Sequence, residues 1–262
     1  MKRVSGGRGP VSVMALAAAL GGCAGDPVLI QQMQLPEYTP GGCAAPSNPA
    51  RSRLDRGTFD VALRDRYVGR PLFRNPLSQP VIVRGVVMTI REGSPDGPLV
   101  GPTFSVYQTV TLPAADGSPG YLAAEMEMIP TQVGLALRSA VCRSAPPTAA
   151  CPSPRADSLD RSLLLTLTAF GETSSGSEFE APPFTFPVRV CCGCLLTFPP
   201  ESRAPESVHR SPNCDQGSAP QGPANCALGQ DLPVDCRLCS GSNPRCQPAG
   251  YATDPAAAAC SP

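Results

Sequence analysis

Apolar and polar side chains alternate in short runs between residues 57 and 190, as in β-strands that bury one face. The alternating runs lie at residues 59–64, 104–112, 122–128, 163–169 and 184–190. Residues 81–90 are instead apolar and β-branched almost throughout, which is typical of a central strand. Turn-forming residues at 94–97, 115–120 and 171–176 separate the runs, so the pattern predicts about six strands.

The alternation also predicts which side chains face the core. Phe59 and Val61 share one phase, which places Asp60 on the opposite, polar face of its strand. Glu125 and Glu127 share the polar phase of a later strand, so we expect them on its solvated side.

One segment departs from this period of two. After Pro130, apolar residues recur at spacings of three and four, at Val133, Ala136, Leu137, Ala140 and Val141. A proline suits the first turn of a helix. The spacing therefore predicts one short helix at residues 131–140 that crosses between strands.

Evenly spaced strands with one crossover helix are similar to an antiparallel β-sandwich of immunoglobulin-like type. The resemblance is to the architecture alone, because the chain has no tryptophan, which an antibody-type domain carries on a central strand. We expect this domain at residues 57–198. Such folds host many functions, so the fold alone indicates no activity.

The flanking regions lack this pattern. Residues 23–56 are rich in proline and glycine and are expected to form a tether. Residues 199–262 contain few aliphatic side chains and six cysteines, so we expect an irregular, Cys-rich tail that is ordered by disulfides.

The N-terminus has the features of an export signal. Lys2, Arg3 and Arg8 precede an apolar run at 11–20, which is too short to span a membrane as a helix. The run ends in Leu20-Gly21-Gly22-Cys23, which resembles the lipobox of bacterial lipoproteins. The alternative is an ordinary secretory leader with an incidental cysteine.

The lipobox resemblance implies a specific maturation. Residues 1–22 would be cleaved, and Cys23 would carry diacylglycerol and an N-linked acyl chain such as palmitate. The protein would then be exported and lipid-anchored in the cell envelope, facing the periplasm or the surface. Ala24 follows the cysteine where an aspartate would favour inner-membrane retention, so the resemblance favours the outer membrane.

The cysteine count agrees with this prediction. The chain has 13 cysteines, and lipidation of Cys23 leaves an even number for disulfides. The candidates are Cys43, Cys142, Cys151, Cys191, Cys192, Cys194, Cys214, Cys226, Cys236, Cys239, Cys246 and Cys260.

Some pairings can be weighed from the sequence. Cys142 and Cys151 flank one Pro-rich loop and are a plausible pair, and Cys43 is expected to pin the tether to the body. Adjacent Cys191 and Cys192 should take different partners, because their Cα atoms are only about 3.8 Å apart. Strand alternation predicts that Cys192 points inward and Cys191 outward. Cys191, together with Cys194, could then hold the tail against the sandwich.

Two chemical alternatives involve the cysteines. Cys236 and Cys239 form a Cys-x-x-Cys pair, which a thiol oxidoreductase could use. With Cys191 and Cys194 they also form two close pairs, as in a zinc ribbon. An oxidising compartment favours structural disulfides over both, so we predict no metal and no cofactor.

The sequence predicts no catalytic residues. His209 is the single histidine, and it lies in a Pro- and Ser-rich loop. No Gly-x-Ser-x-Gly or His-Glu-x-x-His motif occurs. A pair of catalytic carboxylates is defined by distances in space, so a carboxylate-dependent hydrolase stays open.

Charge narrows the range of partners. Without its three leader cations the chain keeps 18 basic residues against 21 acidic ones, which argues against nucleic-acid binding. We therefore predict a non-enzymatic envelope lipoprotein with a structural or binding role, attached to the membrane by its lipid. Its partner would be another envelope protein, a polysaccharide or peptidoglycan. The alternative is an exported enzyme, either the hydrolase or the thiol oxidoreductase above.

Overall fold

The structure, a computed structural model, describes residues 28–39, 42–142, 160–197 and 221–238. These residues form a mainly β structure with one α-helix. The first eight strands are β1 Leu29–Gln34, β2 Glu37–Thr39, β3 Gly42–Ala44, β4 Arg53–Leu54, β5 Gly57–Asp60, β6 Tyr67–Gly69, β7 Pro71–Asn75 and β8 Val81–Glu92. The others are β9 Phe104–Leu112, β10 Gly120–Ala123, β11 Met126–Ile129, β12 Arg161–Thr173, β13 Glu178–Glu180, β14 Phe184–Cys191, β15 Leu196–Thr197 and β16 Val234–Asp235.

Two sheets form most of the body. The larger has six strands in the order β5-β14-β12-β8-β9, with β13 paired to β12, and the smaller has the order β10-β7-β1-β4. Three further pairs, β2-β3, β6-β11 and β15-β16, complete the described strands. Pairing is antiparallel except at β5-β14 and β15-β16, which are parallel. Parallel pairing is possible there because a long stretch of chain separates the two members of each pair.

The core confirms the alternation in the long strands. In β12, Leu163, Leu165, Leu167 and Ala169 are buried, and the residues between them are partly exposed. One contiguous cluster joins these side chains to Ile30 and Phe73 of the smaller sheet and to Leu137 of the helix. Burial of this shared apolar surface is the main stabilising contribution to the fold.

The predicted helix is confirmed as α1, Thr131–Val141, directly after Pro130. It buries Gly134, Leu137 and Val141. Gly134 lies so close to the loop between β5 and β6 that an added Cβ would be 1.9 Å from the carbonyl oxygen of Asp65. The helix axis can approach this loop only because position 134 has no side chain.

The expectation of a tether is wrong for residues 28–56. Four strands lie in this segment, and β1 pairs with both β4 and β7. The sequence pattern hid β1 because two of its buried residues are polar. The Nε2 atoms of Gln32 and Gln34 donate to the carbonyls of Pro49 and Asn48, at 3.1 and 3.0 Å, which satisfies these donors inside the fold.

Part of the tail is also integral to the body. Residues 221–238 contain two 3₁₀ helices, Pro223–Cys226 and Cys236–Leu238, with β16 between them. Gln230, Val234 and Cys236 are buried. Gly229 has φ 81°, and an added Cβ there would be 2.7 Å from Cβ of Leu63. This part of the tail therefore packs through side chains as well as through disulfides.

No helix in the four described segments is long and apolar enough to cross a membrane.

Candidate functional site

A buried polar cluster joins the tail to β5 and β6. The hydroxyl of Tyr67 donates to Oδ1 of Asp231 at 2.9 Å, and the backbone N–H of Thr58 donates to the same oxygen at 2.9 Å. The backbone N–H of Asp231 returns a bond to the carbonyl of Thr58 at 2.9 Å. Asp231 adopts φ 64°, a region that aspartate tolerates better than most residues.

Gln230 extends this cluster to the backbone of β6. Its Oε1 accepts from the N–H of Val68 at 3.0 Å, and its Nε2 donates to the carbonyl of Val68 at 2.7 Å. The side-chain amide thus pairs with Val68 as a neighbouring strand would. Arg64 Nη1 also donates to Oε1, at 2.8 Å, so both polar atoms of this buried side chain are satisfied.

The electrostatics of the cluster fit a structural role. Burial raises the pKa of the Asp231 carboxyl, and hydrogen bonds from Thr58 and Tyr67 offset part of the rise. Burial, followed by the charge of Asp231, raises the pKa of Tyr67 well above its usual value, so the phenol is protonated and donates at neutral pH. Tyr67 is fully buried, which keeps it from any substrate in solution.

Asp60 forms a second buried polar centre, contrary to the prediction that it lies on a polar face. It is fully buried at the end of β5. Its Oδ1 accepts from the N–H groups of Ala62 and Gly193, at 3.0 and 2.7 Å, and its Oδ2 accepts from the N–H of Leu195 at 3.0 Å. Burial raises the pKa of Asp60, partly offset by these amides.

Sequence alternation missed Asp60 because the strand ends there. The chain turns at Val61, and the loop after β14 folds over the carboxylate. Alternation therefore applies as far as Phe59, and it does not predict on which face Asp60 lies. Turn-forming residues directly after Asp60 would have indicated that the strand ends there, but Ala62 and Leu63 are not typical turn residues.

Three disulfides join described cysteines. Cys43 bonds Cys226, which ties the β2-β3 hairpin to the tail, with Cα atoms 5.4 Å apart. Cys142 bonds Cys192, which ties the end of α1 to the end of β14, also at 5.4 Å. The third bond joins Cys191 to Cys194 within one loop.

These bonds correct two expectations. Cys142 pairs with Cys192 rather than with Cys151, because the end of α1 lies beside the end of β14. Cys191 does not point outward and does not hold the tail: it is fully buried, because the loop that carries Cys194 folds back over it. Cys192 is partly buried against the core.

The three bonds differ in how far they restrict the unfolded chain. Sequence separations of 183 and 50 residues correspond to about 5 and 4 kcal/mol of loop-closure stabilisation. A separation of 3 residues corresponds to about 2 kcal/mol, the smallest value of the three. Stability alone is therefore a weaker reason for the Cys191–Cys194 bond than for the other two.

Several predicted site residues lie outside the described residues. They are the lipidation candidate Cys23 and the disulfide candidates Cys151, Cys214, Cys239, Cys246 and Cys260. His209, which was not predicted to be a site residue, also lies outside them. Cys236 is described, fully buried and disulfide-bonded. Three of the four cysteines that could form a zinc ribbon, Cys191, Cys194 and Cys236, are in disulfides.

Glu125 and Glu127 take part in separate interactions. Oε2 of Glu125 lies 2.8 Å from Nη2 of Arg70, whose side chain is buried. Glu127 lies 3.6 Å from Arg66 and accepts from the N–H of Thr131 at the start of α1, at 3.2 Å. Both carboxylates thus pair with arginines, and Glu127 also accepts from the first backbone N–H of α1.

The outer face of the larger sheet carries an aromatic pair, of which Tyr107 is exposed and Phe170 is partly buried. Tyr107 in β9 is 78% exposed, and its ring centroid lies 5.9 Å from that of Phe170 in β12, in an edge-to-face arrangement. The two rings are neighbours because Gly85 lies between them in the sheet, where an added Cβ would be 2.8 Å from Phe170. Hydroxyl-bearing side chains lie on the same face of the sheet, at Ser105, Thr89, Thr166, Thr168 and Thr185.

Comparison with known proteins assigns no family. No family model matches the chain, and no curated protein matches it. Solved structures give weak likenesses. A protein from Archaeoglobus fulgidus is 14% identical over 51% of this chain and 91% of its own, with a TM-score of 0.30. A protein from Arabidopsis thaliana is 14% identical over 59% of this chain and 87% of its own, with a TM-score of 0.31. Neither likeness indicates a function.

Proposed function

We propose that this chain is a lipid-anchored lipoprotein of the cell envelope with a structural or binding role. Three disulfides among the described residues are consistent with an oxidising compartment outside the cytosol. The basic leader and the Leu20-Gly21-Gly22-Cys23 segment support export and attachment through Cys23. We further propose that the two sheets, which share one core, are arranged as an immunoglobulin-like sandwich.

In this proposal the body lies close to the membrane. Val28 is fully buried, and it is only five positions beyond Cys23. An extended chain spans at most about 3.6 Å per residue, so the folded body would begin within about 18 Å of the lipidated residue. Without a long spacer, the distance that the protein reaches from the membrane would be set by the length of the folded body itself.

The exposed ring of Tyr107, packed edge-to-face on the partly buried Phe170, is the observation that supports a binding role. A solvent-exposed tyrosine offers an apolar ring and a polar hydroxyl at low conformational cost, which suits a partner that is apolar on one face and polar at its rim. Sugar rings have this character. Hydroxyl-bearing side chains on the same face of the sheet complement the tyrosine ring, so we propose an envelope glycan, such as the glycan strands of peptidoglycan, as the ligand.

Lipid attachment is tested by the Cys23→Ser variant expressed in a bacterium that processes lipoproteins. The wild type should incorporate labelled fatty acid and fractionate with the outer membrane. The variant should accumulate uncut precursor without label. Normal processing of the variant, or inner-membrane fractionation of the wild type, would contradict the anchor or its location.

Ligand binding is tested by co-sedimentation with purified peptidoglycan sacculi. Tyr107→Ala should weaken binding by about tenfold or more, as truncation of a central aromatic contact does. Leu135→Ala removes a side chain that is 45% exposed on α1 and serves as the matched control, with unchanged binding expected. Binding that survives Tyr107→Ala, or no sedimentation of the wild type, would refute the glycan proposal and leave the anchor untouched.

A further inference from the structure

The loop Cys191-Cys192-Gly193-Cys194 brings two sulfurs and a carboxylate together. One carboxylate oxygen of Asp60 and the sulfurs of Cys191 and Cys194 all lie within 4.8 Å of one another. Asp60 reaches them from β5, which runs parallel to β14 with Asp60 opposite Cys191. A buried carboxyl beside a Cys-x-x-Cys disulfide is a chemical grouping that a purely structural staple does not need.

The carboxylate is fixed in place by the same loop. The N–H groups of Gly193 and Leu195, on either side of Cys194, both donate to Asp60. With the N–H of Ala62 these bonds occupy three of the roughly four acceptor positions of a carboxylate. Oδ2 accepts one bond among the described residues, which leaves it able to take a proton from, or return one to, a nearby sulfur.

The two cysteines differ in burial. Cys191 is fully buried at the end of β14, whereas Cys194 is only partly buried in the loop. Disulfide exchange begins with attack by a thiolate on an accessible sulfur, and the other sulfur leaves. This asymmetry makes Cys194 the sulfur that a partner can attack and Cys191 the sulfur that is released inside the fold.

We propose that Cys191–Cys194 is an exchangeable disulfide that accepts electrons from dithiol substrates, with Asp60 as the proton donor and acceptor for Cys191. The proposal does not depend on the lipid or on the Tyr107 surface. It also differs from an oxidoreductase based on Cys236 and Cys239, because the accessible sulfur and the carboxyl lie elsewhere in the chain.

The reaction balances as follows. A substrate thiolate attacks the sulfur of Cys194, the Cys191–Cys194 bond breaks, and a mixed disulfide forms between Cys194 and the substrate. The released Cys191 sulfur takes a proton from the Asp60 carboxyl. The second substrate thiol, as thiolate, attacks the substrate sulfur of the mixed disulfide, which releases Cys194. The two protons lost by the substrate thiols reach the protein through solvent: one protonates the released Cys194 thiolate, and the other returns to the Asp60 carboxylate. The protein thus gains two electrons and two protons, and the dithiol becomes a disulfide.

Burial supports the role of Asp60. A buried thiolate is disfavoured, so Cys191 should leave and return as a neutral thiol. Burial raises the pKa of Asp60, which helps its carboxyl hold the proton that this exchange needs. Because Cys191 is buried, a substrate thiol can attack this disulfide only at Cys194. The Cys43–Cys226 and Cys142–Cys192 bonds serve as internal references for the rate of that attack.

The test uses the full-length oxidised protein and limiting dithiothreitol. Aliquots are quenched with N-ethylmaleimide, and alkylated peptides are identified by mass spectrometry. Cys191 and Cys194 should be alkylated at least about tenfold faster than the cysteines of the other two described disulfides. Equal rates for the three bonds would overturn the proposal. So would one equivalent of bound zinc with Cys191 and Cys194 reactive only after chelation.

The role of Asp60 is tested with matched variants. Asp60→Asn should slow reduction and reoxidation of Cys191–Cys194 by about 100-fold, the scale of general acid–base catalysis. Asp231→Asn replaces another buried carboxylate and should leave both rates unchanged. A wild-type rate in Asp60→Asn, or equal slowing in Asp231→Asn, would refute this role. If Asp60→Asn does not fold, the wild-type kinetics still decide whether the disulfide is exchangeable.

Discussion

Tyr67 donates a hydrogen bond to Asp231, a residue 164 positions further along the chain. Tyr67 is fully buried, and Asp231 is partly buried beside it. It connects a strand of the predicted β domain to a segment whose composition indicated an irregular tail. The described part of the tail is thus a component of the fold, and removing its contacts should destabilise the whole body.

Loss of the Tyr67 hydroxyl should be costly. Tyr67→Phe keeps the ring and leaves the buried Asp231 carboxylate without one donor, so we expect the free energy of unfolding to fall by about 1–3 kcal/mol. Tyr107→Phe is the control, because its hydroxyl lies on the exposed face and its loss should change stability by less than about 0.5 kcal/mol. Urea denaturation measures the free energy of unfolding of both variants. Equal effects would contradict a stabilising role of the Tyr67–Asp231 hydrogen bond.

The raised pKa of Asp231 predicts a pH dependence of stability. A carboxyl whose pKa is higher in the folded than in the unfolded state contributes stability below the unfolded value, 3.8, and loses it as pH rises through the folded pKa. Relative to Asp231→Asn, the wild type should therefore lose stability as the pH is raised from about 4 to 7. Denaturation at several pH values tests this. A wild type whose stability rises relative to Asp231→Asn over this pH range would contradict the prediction.

Gln230 should protect the backbone of β6. Gln230→Ala removes both hydrogen bonds to Val68, so amide hydrogen exchange at Val68 should become faster by about tenfold or more. The amide of Thr166, in the centre of the larger sheet, serves as the internal control and should change little. Unchanged exchange at Val68 would show that β6 is held by other contacts.

Gly134 should reverse the usual effect of helix propensity. Gly to Ala in a helix normally stabilises by about 1 kcal/mol. Here the added Cβ would lie 1.9 Å from the carbonyl oxygen of Asp65, so Gly134→Ala should destabilise by about 1–3 kcal/mol. Ser139→Ala, at an exposed position of the same helix, should be neutral or slightly stabilising. A stabilising Gly134→Ala would contradict the close packing of helix and loop.

The sequence predicted the elements whose burial follows a regular period. Strands β9, β12 and β14 and helix α1 have apolar faces that repeat every two or every three to four residues, and β8 is a nearly continuous apolar run. Local patterns of this kind are enough to find these elements. The pattern did not predict strand β1, because buried Gln32 and Gln34 interrupt its apolar face. Their bonds to loop carbonyls depend on a contact that no local pattern contains.

The candidate sites were harder to predict for the same reason. The three groups at the Cys-x-x-Cys loop come from β5 and the end of β14, which lie more than 130 residues apart in the chain. Cys142 and Cys192 likewise meet only because helix α1 ends beside β14. Pairings of this kind follow from tertiary structure, and spacing along the sequence carries little information about them.

The membrane anchor is the central claim about function, and the mass of the mature N-terminal peptide tests it most directly. The protein should be purified from the membranes of a bacterium that processes lipoproteins and then digested and analysed by mass spectrometry. The proposal predicts a peptide that begins at Cys23 and carries a diacylglycerol thioether and an N-linked acyl chain. A peptide that retains residues 1–22, or one with an unmodified Cys23, would contradict it.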